Sequence, residues 1–276
     1  MAGTLYLVAT PIGNLQDITL RALNTLQSVD LIAAEDTRNS RKLLTHFNIT
    51  RPLISFHEHS TPQKRAELVQ RLQAGESIAL ISDAGMPLLS DPGAELVADA
   101  LAVGLEIVVV PGASAALTAL VASGLSAARF AFEGFLPRKS KERRQLLAKI
   151  KEDERTLIFY EAPHRLLSTL EDLLTVLGDR QIAVCRELTK KFEEIKRAPL
   201  SECLEYFTQK GVKGEFCLVV GGYLPQCEKP AAVDDEQIAE LMSMMMQKGM
   251  RRKEAARQTA ETLGIPVKKA YDLSID

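Results

Sequence analysis

Short apolar runs with no internal alternation punctuate the first 110 residues, at 5–9, 31–34, 52–55, 78–81 and 107–110. Between them lie segments of helical period: Leu20, Leu23 and Leu26 share one face, and further helices are expected at 40–47, 62–74 and 92–103. Unbroken apolar runs read as strands buried on both faces, and their alternation with helices predicts right-handed crossovers and a parallel sheet. A helix from Ala115 to about Ser123 leads into a second set of strands, expected at 130–135, 156–160, 181–185, 192–195 and 216–220. From 225 to 235 the chain turns to Pro, Lys, Ala and Asp, a linker composition. Beyond it Ile238, Leu241, Met242 and Met245 mark one helix, Ala255, Ala256, Thr259, Ala260 and Leu263 a second closed by Gly264, and a third opens at Pro266. The expected division is an N-terminal α/β domain at 1–114, a second α/β domain at 115–225, and a linker with a C-terminal helical module at 226–276. The three short helices have the rhythm of a helix-turn-helix, or of a capping bundle.

The residues directly after each early strand are more telling. These groups are Thr10-Pro11-Ile12-Gly13-Asn14, Glu35-Asp36-Thr37-Arg38, His57-Glu58-His59, the loop that starts at Asp83, and Pro111-Gly112-Ala113-Ser114-Ala115. The carboxyl ends of parallel strands lie along one edge of a sheet, so these five groups converge on one cleft. The loop at 82–93, Ser-Asp-Ala-Gly-Met-Pro-Leu-Leu-Ser-Asp-Pro-Gly, organises that edge. Asp83 leaves the strand first, Gly85 admits a ligand close to the backbone, and Pro92 is expected at the first position of the next helix. Strands of the second set end in Tyr160-Glu161-Ala162-Pro163-His164-Arg165 and Arg186-Glu187-Leu188-Thr189-Lys190, placed to bracket a ligand from the other side.

A chain of 276 residues, 46% hydrophobic and 25% charged, supports two domains of ordinary size and excludes a largely disordered polymer. Its net charge of −2 excludes a globally basic nucleic-acid coat, which leaves local patches. One runs from Arg138 to Glu152, with seven basic residues against two acidic, Arg138, Lys139, Arg143 and Arg144 among them. It reads either as a phosphate-contacting strip or as a charged helix face. The four cysteines, Cys185, Cys203, Cys217 and Cys227, have no CxxC spacing and are expected as reduced thiols. The N-terminus enters a strand directly and no apolar run reaches the roughly 18 residues of a membrane span, so a cytoplasmic protein is expected.

Several chemistries lack their signature. There is no Gly-x-x-x-x-Gly-Lys-Ser/Thr loop, no Gly-x-Gly-x-x-Gly after the first strand and no Gly-x-Ser-x-Gly elbow. His57 and His59 have no third ligand in sight, so no metal is expected. The reading that remains is a small-molecule cleft of mixed polarity between two α/β domains.

Six motifs in order carry a family likeness: Val8-Ala9-Thr10-Pro11-Ile12-Gly13-Asn14-Leu15, Ala34-Glu35-Asp36-Thr37-Arg38, the loop at 82–93, Pro111-Gly112-Ala113-Ser114-Ala115, the stretch at 159–165 and Arg186-Glu187-Leu188-Thr189-Lys190. Together they resemble the bacterial RsmI family, 16S rRNA ribose 2′-O-methyltransferases of the tetrapyrrole methylase superfamily. The resemblance implies an α/β, two-domain class III S-adenosylmethionine (SAM) methyltransferase fold: a parallel-sheet N-terminal domain, a mixed-sheet second domain and a helix-turn-helix-like appendage. It implies a homodimer that binds SAM between the domains and methylates a cytidine ribose in the decoding region of the small ribosomal subunit. By position, Ile12, Asp83, Gly85, Met86, Ser114, Ala115, Tyr160 and Leu188 would hold the cofactor. Arg38, His57 and His59 would face the nucleotide, with Arg138, Lys139, Arg143 and Arg144 on RNA. Asp36 or Glu35, then Glu161, would serve as base. Two positions depart from the pattern: Met86 stands where Thr is common, and Gly221 where the last strand more often ends in Glu. Two other readings stay open: a methyltransferase of this fold acting on a small molecule or a protein side chain, and a non-catalytic RNA-binding module.

Overall fold

The computed structural model describes residues 2–224 and 234–273. The chain forms two compact units, Met1–Tyr223 and Leu224–Asp276, and the first is built on two five-stranded sheets. The first sheet holds β1 (Thr4–Val8), β2 (Leu31–Ala34), β3 (Leu53–Ser55), β4 (Ile78–Ile81) and β5 (Glu106–Val110) in the order β3-β2-β4-β1-β5, with every pair parallel. The two-residue period of a strand sends alternate side chains to opposite faces. Leu5, Leu7, Leu31, Ala33, Ile78 and Leu80 pack against α3 (Pro62–Gln73) and α4 (Ala94–Ala102). Val8, Ile32, Ala34, Ala79 and Ile81 pack against α1 (Leu20–Ser28) and α2 (Thr37–His46) on the other face. Both faces are covered, which is why these runs carry no polar alternation.

The second sheet is mixed. It comprises β6 (Phe130–Phe135), β7 (Thr156–Glu161), β8 (Gln181–Arg186), β9 (Glu194–Pro199) and β10 (Phe216–Val220) in the order β6-β7-β10-β8-β9, parallel only between β6 and β7. Helix α5 (Ala115–Ser123) lies on one face: Ala116, Ala119 and Leu120 share an apolar cluster with Ile158, Ala183, Cys185 and Val219, and Ile12 from the first half joins it. The other face is covered by α6 (Ser140–Lys149), α7 (Leu166–Leu177) and α8 (Leu200–Lys210).

The elements fall where the pattern places them, with three shifts. Helix α2 starts at Thr37 because the Asp36 side chain caps it, accepting from the Arg38 amide at 2.8 Å. Helix α4 starts at Ala94, not Pro92: Gly93 takes φ +125°, and a Cβ there would lie 2.6 Å from Leu80 Cδ2, so the loop folds back onto β4 before the helix can begin. Strand β9 runs from Glu194 rather than Phe192; it is an edge strand of mixed charge, whose weak apolar signal hid its register.

The second unit carries α9 (Asp235–Gln247), α10 (Arg252–Leu263) and α11 (Val267–Asp272). Ile238 and Met242 pack with Ala255, Ala256, Ala260 and Ala270, small residues that let short helices approach closely, and the Arg252 guanidinium lies 4.7 Å from the Tyr271 ring centre. The expected linker falls largely outside the described residues, and so does Cys227. Among the described residues, no helix is long and apolar enough to cross a membrane.

Candidate active site

The carboxyl edge of the first sheet is knitted by its own loops. β1 and β4 are neighbours, and beyond their ends Thr10 and Gly85 form an isolated antiparallel bridge, with amide-to-carbonyl bonds of 2.9 and 3.0 Å. The Thr10 hydroxyl donates to the Ser82 carbonyl at 3.2 Å, and the Ser82 hydroxyl to the Gly85 carbonyl at 3.2 Å. Asp83 ties in the loop after β2: Oδ1 accepts from the Asp36 amide at 3.1 Å and Oδ2 from the Asn39 side-chain amide at 3.0 Å. Further along, Leu88 at φ +73° and Ser90 at φ +66° sit in the left-handed region, which is rare and strained for such residues. A backbone held this way is over-determined by its surroundings rather than left to choose.

The second half closes the space from the other side. Tyr160, at the end of β7, accepts a hydrogen bond from the Ala116 amide at 3.2 Å and so caps the first turn of α5. Its ring meets Phe132 and Phe135 edge-on at 4.8 and 5.6 Å. After β8, Glu187 and Thr189 also take positive φ, and Leu188 between them turns inward. The two halves touch at Gly13, where a Cβ would lie 2.5 Å from Lys190 Cγ and 2.9 Å from the Leu188 carbonyl oxygen.

Between these loops lies a cleft of about 570 Å³, within the usual range for small-molecule and cofactor sites. All eight residues expected at a cofactor line it: Ile12, Asp83, Gly85, Met86, Ser114, Ala115, Tyr160 and Leu188. Glu35 and Glu161 line it as well. The sequence pattern assigned no role to Ser90, Asp91, Phe135, Cys185, Glu215 and Cys217 on the same walls, and marked Lys190 only as part of a segment bracketing a ligand. The first two lie in the loop already singled out, and Cys185 and Cys217 face each other in the β8–β10 register.

Residues 4–204 match the family described as tetrapyrrole (corrin/porphyrin) methylases. Proteins named ribosomal RNA small subunit methyltransferase I are similar over nearly the whole chain: the one from Synechocystis sp. is 52% identical over 99% of this chain and 98% of its own, and the one from Bacillus subtilis 47% identical over 98% and 93%. A solved structure of uroporphyrin-III C-methyltransferase from Thermus thermophilus, complexed with S-adenosylhomocysteine, shares the fold at a TM-score of 0.56 and 21% identity, over 79% of this chain and 97% of that one. The chain belongs to the ribosomal RNA small subunit methyltransferase I family, within the tetrapyrrole methylases.

For a member of this methyltransferase family, the geometry revises several expected roles. Asp36 is a helix cap clamped by Arg38, whose Nε and Nη2 reach its carboxylate at 2.7 to 3.2 Å. Those bonds pull its carboxyl down to about 2, and it stands outside the cleft lining, which makes it a poor base. Glu161 touches the cleft, but its side chain is fully buried and its oxygens are taken. Oε1 accepts from the Ala162 amide at 2.8 Å, Oε2 accepts from Thr169 Oγ1 at 2.5 Å, and Arg165 pairs with it at 3.2 Å. It anchors the turn into α7.

Glu35 keeps a place on the wall, its carboxyl raised by burial and then by the Asp83 charge. Arg143 leaves the basic strip: its side chain is 3% exposed and pairs with the equally buried Asp172 at 2.6 Å, while Arg138, Lys139 and Arg144 stay exposed. Arg38, His57 and His59 are exposed and lie outside the cleft lining, and His57 Nδ1 accepts the His59 amide at 3.2 Å. Among the described residues, no group of three or more His, Cys, Asp or Glu side chains is arranged to hold a metal ion. Of the two departures from the family pattern, Met86 lines the cleft, whereas Gly221 follows the far end of β10 and bonds the Gln181 carbonyl at 2.8 Å.

Proposed function

We propose that this protein is a SAM-dependent methyltransferase that places a methyl group on the ribose 2′-oxygen of a cytidine in the decoding region of 16S rRNA, acting as a cytoplasmic homodimer. The observation that carries the reading is the near full-length likeness to proteins named for small-subunit rRNA methylation, coupled to a cleft that suits the cofactor. That cleft combines an apolar floor of Ile12, Leu188 and the two cysteines with carboxylates from Glu35, Asp83, Asp91 and Glu215 against one cation, Lys190. Such an excess of negative charge favours a positively charged ligand. Lys190 is itself held by Glu187 at 3.0 Å and Glu215 at 2.8 Å.

When bound, the cofactor supplies a methyl already activated on a cationic sulfur. Ile12, Leu188 and the turn from Asp83 to Met86 would hold it, together with Ser114, Ala115 and Tyr160. The remaining task is alignment of a ribose hydroxyl with that methyl, and positioning of this kind can supply up to about 7–11 kcal/mol of the barrier. The exposed Arg138, Lys139 and Arg144 favour a polyanionic substrate over a small molecule, because each phosphate contact adds salt-dependent affinity. The fold shared with a uroporphyrin-III methyltransferase supports a second reading, methylation of a tetrapyrrole. Labelled SAM incubated with small subunits that lack the modification, followed by mapping of the labelled nucleotide, separates the two. Label on a cytidine ribose supports the rRNA reading, and its absence from RNA overturns it.

A further inference from the structure

Five carboxylates face the cleft, and three have a structural occupation. Asp83 holds the loop after β2, Glu161 is buried against Thr169 and Arg165, and Glu215 pairs with Lys190, whereas Glu35, beside Asp83 at the end of β2, shares with Asp91 the lack of an ion pair among the described residues. Asp91 differs from Glu35 in its place: it lines the cleft from the loop at 82–93 rather than from a strand end, and among the described residues no ion pair engages it. It follows Ser90, whose left-handed backbone turns the loop, and the Ser90 hydroxyl lies 3.0 Å from where a Cβ on Gly134 of β6 would stand. The carboxyl is therefore carried to where the two halves meet, with Glu35 and Asp83 on its own side and Tyr160 within electrostatic reach across the cleft.

Resting on the methyl-transfer reading, we infer that Asp91 accepts the hydroxyl proton as the substrate oxygen is methylated. In that step the hydroxyl oxygen forms the new O–C bond and the C–S bond breaks with its electron pair going to sulfur. The O–H bond gives its electrons to oxygen, and the proton passes to the Asp91 carboxylate. A ribose hydroxyl is far too weak an acid to ionise beforehand, so an acceptor at the site assists as the bond forms. Burial first, then the charge of Glu35, push the Asp91 carboxyl up to about 7, against an opposing effect of Ser82 and with a weaker push from Asp83. A base with that affinity is still substantially ionised near neutrality and takes a proton far more readily than an ordinary aspartate. Other titratable groups on the walls are Glu161, Lys190, Glu215, Cys185 and Cys217; burial raises both thiols, which keeps them neutral.

The test compares wild type, Asp91→Asn and Asp91→Glu in methyl transfer to unmodified small subunits at saturating SAM, from about pH 5 to 9. SAM affinity is measured by calorimetry, and aspartate carboxyls are titrated by carbon-13 NMR. Expected are a loss of roughly 10²- to 10⁴-fold in the Asn variant and an acid limb present in wild type but absent from that variant. SAM affinity should fall by no more than a few-fold, partial activity should return in the Glu variant, and one carboxyl titrating near neutrality should disappear on Asp91→Asn. The Asn variant should fold, since it removes a buried charge that Glu35 repels. Wild-type turnover by Asp91→Asn, or full turnover once weakened SAM binding is saturated, overturns the role, as does the absence of a carboxyl titrating near neutrality. If wild type labels no RNA, the functional reading falls with it; if wild type labels RNA and the Asn variant labels it equally, only the Asp91 assignment falls.

Discussion

Each oxygen of the Asp83 carboxylate accepts a hydrogen bond from the loop that follows β2, so this residue fixes a neighbouring wall of the cleft as well as forming one. Hydrogen bonds to a charged group are worth about 1.5–3 kcal/mol, and 1.4 kcal/mol is tenfold in affinity. Asp83→Ala should therefore weaken SAM binding by roughly tenfold or more while the protein stays folded; unchanged affinity by calorimetry would refute the placement. Asp36 carries the opposite expectation. Its carboxylate caps α2 and pairs with Arg38, so Asp36→Asn should lower the melting temperature yet leave turnover within a few-fold of wild type. A collapse of turnover with normal SAM affinity would return Asp36 to the role of base. From sequence both residues were acids beside a strand end, and nothing in their order along the chain said that Asp36 would cap a helix outside the cleft while Asp83 lined it.

At the scale of elements, the site depends on loops from different sheets being pressed together. The loop after β1 meets the loop after β8 at Gly13, where a methyl group would run into a backbone carbonyl as well as the Lys190 side chain. Gly13→Ala should push Leu188 off the cleft and reduce SAM affinity more than it reduces thermal stability, as titration and melting of the same sample would reveal. The basic helix α6 divides by face. Arg143, buried against Asp172, should cost about 1.5–3 kcal/mol in chemical denaturation when replaced by Met, because Asp172 loses its buried cation and keeps only Arg144 and Ser140. Arg138→Ala and Lys139→Ala should leave stability nearly unaltered and each lower the slope of log affinity against log salt by roughly 0.7–0.9, if each meets one phosphate. A single run of charge in the sequence thus holds two unlike functions, and helical rotation separates them.

For the whole molecule, the titrating carboxyls oppose one another. Asp91 has a raised carboxyl, so the folded state binds its proton more tightly than the unfolded chain does. The stability this gives is complete below the ordinary aspartate value and is lost as the pH rises through about 7. Burial alone would raise Asp172 and Glu194 too, but Arg144, Ser140 and Arg143 hold the first down, and Lys210, Tyr206 and Arg186 the second. Their stabilisation is present above the ordinary carboxyl range and lost as the pH falls through their depressed values. The melting temperature should accordingly peak on the acid side of neutrality, near pH 5–6, and decline toward about pH 7.5. Asp91→Asn should flatten that decline; an equally steep fall in the variant would place the raised carboxyl elsewhere.

The order of apolar runs and helical periods determined the parallel first sheet and the α/β character of the second half, because strand and helix periods are local properties of the chain; of the five strand-end groups expected at one cleft, four line it and His57-Glu58-His59 does not. Motif order also marked the eight residues expected at the cofactor, all of which line the cleft. Tertiary structure alone decided how the side chains at that edge divide their work: that Asp36 and Glu161 are occupied by hydrogen bonds, that Arg143 turns inward, and that Asp91 stands without a cation among the described residues. Burial and partners depend on which distant segments meet, and the basicity of a carboxyl follows from both. A sequence supplies the acid, and only the fold supplies its surroundings.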